Sequence, residues 1–190
     1  MKVKKFLFAG ALLVIALFSV NSVMAETPPT TDNVIVSLKF KPIQSITVNA
    51  DSVNLIYATV NDYSVGKSSE ALDDHITIYS TGGFQVKVKA AGDFTNSGTG
   101  GGSISLEDVE ISAIEGTNAP TSTTIATDEP LVTSEDLILV SAATGGTNIN
   151  YNVVYNNTGG AGNNYIDKYI YEDGAESVYS TTVTYTIEAN

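Results

Sequence analysis

The chain has 190 residues, no cysteine, no tryptophan and one histidine, with 9 Lys and Arg against 21 Asp and Glu for a net charge of −12. Without cysteine there is no disulfide framework, thiolate metal site, cysteine nucleophile or lipid-modified N-terminal cysteine. The acidic balance, with no basic patch, argues against nucleic acid and anionic lipid as partners.

Lys2, Lys4 and Lys5, an apolar run over residues 6–20 interrupted by Gly10, and the small-residue end Val23-Met24-Ala25 read as a secretory signal peptide over 1–25. The run is shorter than the roughly 20 residues that span a bilayer, so cleavage after Ala25 is expected, with no membrane insertion afterwards. The mature chain, residues 26–190, then carries six lysines, no arginine and a net charge of −15. A polar lead over 26–33 with Pro28 and Pro29 is expected to be extended and flexible, followed by a single domain over 34–190.

Within that domain Val34, Val36, Leu38 and Phe40 alternate with Ile35, Ser37, Lys39 and Lys41, which predicts a strand. Pro42 interrupts it, and Ile46, Val48 and Ala50, then Val53, Leu55 and Tyr57, continue the pattern. A polar loop is expected over 61–75. Ile76 and Ile78, the Gly82-Gly83 turn, and Phe84, Val86, Val88 and Ala90 read as a hairpin. Residues 96–103 form a Gly-rich connection, and the apolar phase changes between Leu106 and Val109, which predicts a break near Glu107-Asp108. A Thr-rich loop is expected over 116–130. Leu137 to Val140, Ile149 to Tyr155 and Tyr165 to Tyr171 read as strands, with a turn at Asp173-Gly174. Over 178–189 the odd positions (Tyr179, Thr181, Val183, Tyr185, Ile187, Ala189) are mostly apolar and the even ones from Ser180 to Glu188 are Ser, Thr and Glu, so a one-residue slip would bury Glu188 and expose Ile187. About nine or ten strands and no amphipathic helix beyond the signal predict an all-β antiparallel sandwich, Ig-like or pilin-like, with a closed barrel as the alternative.

The residues supply little for catalysis. His75 follows Asp73-Asp74 and reads as a solvated loop residue; alone it makes neither a triad nor a zinc site. The runs at 98–103 and 159–162 are linkers, since no Gly-Lys-Ser/Thr follows either. The acidic clusters Glu107-Asp108-Glu110, Glu135-Asp136 and Glu172-Asp173-Glu176 sit at predicted turns. No catalytic residue, metal ligand or cofactor is predicted. Seven of the ten tyrosines fall in the last 40 residues. They are expected to pair across strands, with a glycan or partner face of Tyr165, Tyr169 and Tyr171 as the alternative.

The stretches Y-A-T-V-N-D-Y-S-V-G-K from Tyr57, I-Y-S-T-G-G-F-Q-V-K-V-K-A ending at Ala90, L-I-L-V-S-A-A from Leu137 and Y-S-T-T-V-T-Y-T-I from Tyr179 resemble small secreted proteins of Bacteroidota. The last of these is also similar to the closing strand of pilin-like domains of the spore-coat and Csu fimbrial type, though the cysteine pair of chaperone-usher subunits has no counterpart here. The first resemblance implies O-glycosylation at Ser52 within Asp51-Ser52-Val53. Together they imply a secreted or cell-surface protein, the periplasm being the alternative location. The function expected is a non-enzymatic structural subunit of a filament, fimbria or matrix that self-associates or joins other surface proteins through strand edges. Val34, Val36, Leu38 and Phe40 are its assembly strand. The competing reading is a carbohydrate- or peptidoglycan-binding module.

Overall fold

Among the described residues the first strand ladder begins at Gln44. The computed structural model describes residues 30–97, 101–134, 137–170 and 176–190. Contacts divide the chain at 39/40, into Met1–Lys39 and Phe40–Asn190. The described residues of the first unit have no regular structure, and Val34, Val36 and Leu38 are 80–86% exposed. Phe40, at the start of the second unit, is 90% exposed. The expected strand over 34–40 is therefore absent. A period-2 pattern makes a residue fit for a sheet, but without a ladder its N–H and C=O groups are left to water. The expected signal peptide, the Gly98-Thr99-Gly100 run, Glu135-Asp136 and the Asp173-Gly174 turn lie outside the described residues.

The second unit opens with β1 (Gln44–Val48), a short helix α1 (Val60–Val65), β2 (Lys67–Ser68), β3 (Leu72–Ser80), β4 (Phe84–Ala90), β5 (Phe94–Asn96) and β6 (Ser103–Ile104). It continues with β7 (Glu110–Glu115), β8 (Thr123–Ile125), β9 (Glu129–Pro130), β10 (Leu137–Ala142), β11 (Gly146–Asn157), β12 (Tyr179–Ser180) and β13 (Val183–Ala189). One sheet has the order β1-β3-β11-β7-β9, with β2 also on β11; the second runs β13-β4-β10-β8; a small third runs β12-β5-β6. Every pairing is antiparallel. The fold is an open all-β sandwich and not a closed barrel.

The core lies between the two larger sheets. Ile76 and Ile78 of β3, Ile111 of β7, and Ile149, Tyr151 and Val153 of β11 face Phe84, Val86 and Val88 of β4 and Leu139, Val140 and Ala142 of β10, all buried. Each large side chain buried this way contributes about 1.5–3 kcal/mol. This arrangement overturns the expected hairpin. β3 and β4 are consecutive, yet β3 pairs with β1 and β11 while β4 pairs with β10 and β13. Both strands carry large apolar residues on a single face, and those faces bury each other across the core when the Gly82-Gly83 turn carries the chain from one sheet to the other.

Other expectations change for local reasons. The polar stretch 61–75 holds α1, β2 and the start of β3. A capping box starts the helix: the Thr59 side chain accepts from the Asp62 N–H, and the Asp62 carboxylate accepts from the Thr59 N–H. Gly66, at φ +84°, ends it. The Thr-rich stretch contains β8 and β9, two short strands at sheet edges. The change of phase near Glu107-Asp108 is a 3-10 turn over Leu106–Asp108. Residues 165–170 are turn and irregular backbone, not a strand, because the 3-10 turn Ala161–Asn163, with Gly162 at φ +67°, folds the chain back. The final alternation is split at 181–182 into β12 and β13. The small sheet thereby continues the β4/β13 ladder past a bend that Thr181 Oγ1 closes by donating to the Gly92 carbonyl, 2.7 Å.

Candidate functional site

The side of the sandwich where β1 and β13 approach each other holds a groove of ≈ 910 Å³. Its lining comes from residues 50–57 and 176–185, with His75 of β3, Phe94 of β5, Val109 ahead of β7, and Tyr155 and Asn157 of β11. Residues 50–57 run extended without a ladder, and Val53, Leu55 and Tyr57 are half-buried between exposed neighbours. This stretch shows the alternation predicted for a strand, but its backbone stays unpaired.

Among the described residues β13 pairs with β4 alone and forms the sheet edge beside the groove. Its register pairs Val183 with Ala90 and Ala189 with Phe84. The flanking bonds, Ala91 N–H to the Thr182 carbonyl at 2.9 Å and Asn190 N–H to the Gly83 carbonyl at 3.1 Å, fix which pairs exchange hydrogen bonds. Thr184, Thr186 and Glu188 turn their backbone groups to β4. Val183, Tyr185, Ile187 and Ala189 therefore turn theirs to the open edge, while Val183, Tyr185 and Ile187 pack their side chains against the core.

His75 sits inside this groove, contrary to its reading as a solvated loop residue. A bulge in β3 puts it there: Ile76 pairs with Tyr151 and Leu72 with Val153, so three residues of β3 oppose one of β11. Asp74 occupies the extra position at φ +45°. It is pinned by its N–H donating to Asn152 Oδ1 at 2.7 Å and by its carboxylate accepting from the Thr117 N–H at 2.9 Å and hydroxyl at 2.5 Å. Those bonds hold the Asp74 carboxyl below its ordinary range. The displaced phase turns His75 inward, 3% exposed, where its ring meets Tyr185 edge-on at 5.7 Å. His75 Nδ1 has no hydrogen-bond partner, and burial lowers its pKa. The doubled Asp73-Asp74 between Leu72 and Ile76 was the sequence signal for this bulge.

Several other polar groups of the groove are tied to one another. The Tyr155 and Tyr185 hydroxyls are 2.6 Å apart, and burial raises both pKa values. Tyr57 donates to Asn157 Oδ1 at 2.7 Å, Asn157 Nδ2 donates to the Tyr165 hydroxyl at 3.2 Å, and Tyr165 donates to Asp108 Oδ2 at 2.8 Å. Burial, assisted by the nearby Asp62 charge, pushes Tyr57 up to about 12. Asp62 itself bridges to Lys67 Nζ at 3.0 Å, which, with the N–H groups of Ala58 and Thr59, keeps its carboxyl far below the usual range. Gly159 and Gly160 are not a linker: a Cβ on Gly160 would strike the Tyr57 hydroxyl and lie 2.5 Å from Asn157 Oδ1.

The candidate residues named from sequence scatter. Tyr165 is 6% exposed and buried in the network just described, so it offers no open face for stacking. Tyr169 is 51% exposed at the groove wall, and Tyr171 lies outside the described residues. Ser52 is exposed at the groove rim, beside Val53 on the core. Val34, Val36, Leu38 and Phe40 are exposed. Sequence reading missed His75 as an interior residue and Asn157 as the hub of the tyrosine network. Among the described residues no group of His, Cys, Asp and Glu is arranged to hold a metal ion, and no helix is long and apolar enough to cross a membrane. No protein-family model matches this chain, and no curated protein sequence matches it.

Proposed function

We propose that this chain is an exported, non-enzymatic structural subunit that joins its neighbours through strand edges. The observation that carries this is the free edge of β13, four residues of which direct their N–H and C=O groups outward beside a groove lined by apolar and tyrosyl side chains. An added strand satisfies those groups, and its alternate side chains enter the groove. The row Val34, Val36, Leu38 and Phe40, exposed and alternating, has the pattern such a strand requires. The apolar run and small residues at 6–25 support export to the cell surface or medium, and a net charge of −15 keeps the mature chain soluble there.

Light scattering and negative-stain microscopy of the mature protein beside a Val36→Asp/Leu38→Asp variant test this reading. These side chains are exposed, so the variant is expected to keep the far-ultraviolet spectrum of the parent while losing its oligomers. A parent that stays monomeric at high concentration overturns the proposal. Retention on peptidoglycan by that monomer, lost on Tyr169→Ala, would favour the glycan-binding reading instead.

A further inference from the structure

The bulge in β3 spends three residues to place an imidazole where no partner waits for it. Burying a polar nitrogen without a hydrogen bond is unfavourable, and burying its charged form far more so. Among the described residues no carboxylate is paired with the ring, although Glu176 also lines the groove. β1 carries no titratable side chain; β11 contributes Tyr151 and Tyr155; β13 contributes Tyr185 and Glu188, the latter bridged to Lys87 at 2.6 Å. On β3 itself Asp74 is committed to Thr117 and Asp73 is exposed, and the stretch 50–57 adds Tyr57 and the exposed Asp51. The Tyr155 and Tyr185 hydroxyls already bond to each other. His75 touches the opposite sheet through Tyr185, which is on the edge strand of that sheet.

We infer that protonation of His75 loosens β13 and opens the groove, making the edge that receives a partner strand responsive to pH. This rests on the reading of that edge as the association site. The charged ring has no stable place between Tyr185 and the β3 bulge, and the least anchored neighbour is β13, paired on one side only. Burial lowers the imidazole pKa below its ordinary 6.5 in the folded state. The resulting stability is present above that value and is lost as pH falls below it. The opening equilibrium shifts by up to about tenfold for each pH unit in that interval.

The test is hydrogen exchange and proton NMR on the dilute, monomeric mature protein, in which His75 is the sole imidazole. The imidazole is expected to titrate below 6.5. Protection of the β13 amides, corrected for intrinsic rates, should fall by up to about tenfold relative to β11 between about pH 7 and pH 5.5, and His75→Leu should remove that fall. Titration at or above 6.5, unchanged β13 protection, or an equal fall in His75→Leu overturns the inference. If His75→Leu does not fold, the parent's titration and exchange decide alone. Opening without any association, at neutral pH or at about pH 5.5, would refute the association reading and leave the switch; association with a pH-independent β13 would refute the switch only.

Discussion

Single residues in this protein act mainly through how closely they are packed. Gly160 has φ −77°, a value open to any residue, so its backbone does not require glycine. The space does: a Cβ would meet Tyr57 Oη, Asn157 Oδ1 and Tyr165 Cε2, three members of one hydrogen-bonded network. Gly160→Ala is therefore expected to cost about 1–3 kcal/mol through overpacking, measured by urea unfolding. Gly162, at φ +67° with open space around it, depends on glycine for the opposite reason. Asn157 shows why composition misleads here. Asparagine in this chain reads as turn material, yet Asn157 is 5% exposed with both side-chain groups engaged.

At the scale of elements, β13 and the stretch 50–57 show that alternation and pairing are separate properties. Both bury every second residue, but only β13 has a ladder. Its register makes a sharp prediction about proline. Thr186 directs its N–H to β4, opposite Lys87, whereas Ala189 directs its N–H to the open edge. Thr186→Pro should destabilise the protein by about 1–3 kcal/mol more than Ala189→Pro, since it leaves a buried acceptor on β4 without a donor. Paired thermal melts of the two variants measure the difference, and equal losses would show that the ladder phase is wrong.

For the whole molecule, the buried tyrosines set an alkaline limit. Tyr155, Tyr165 and Tyr185 are all raised above 10.0, in each case first by burial, and Tyr57 reaches about 12. A folded-state value above the unfolded one means that the neutral form is favoured by folding. This stability is complete below pH 10 and is lost as pH rises through the folded values. Ultraviolet titration should show Tyr57, Tyr155, Tyr165 and Tyr185 ionising above 10.0 and together with loss of secondary structure. Independent ionisation of all ten tyrosines near their ordinary value would contradict the packing described. The sequence by itself determined that the chain is all-β, that Ile149 to Tyr155 and Val183 to Ile187 present their odd positions to a core, and that the phase breaks near Glu107. Those follow from period-2 burial, which is local. Only the tertiary structure decided that the sheets form an open sandwich and not a closed barrel, that β3 and β4 belong to opposite sheets, that His75 turns inward, that Gly159 and Gly160 are packed, and that Val34 to Phe40 forms no strand. Each depends on which partner a backbone or side chain meets across the sandwich, and alternation along one strand carries no record of the strand beside it.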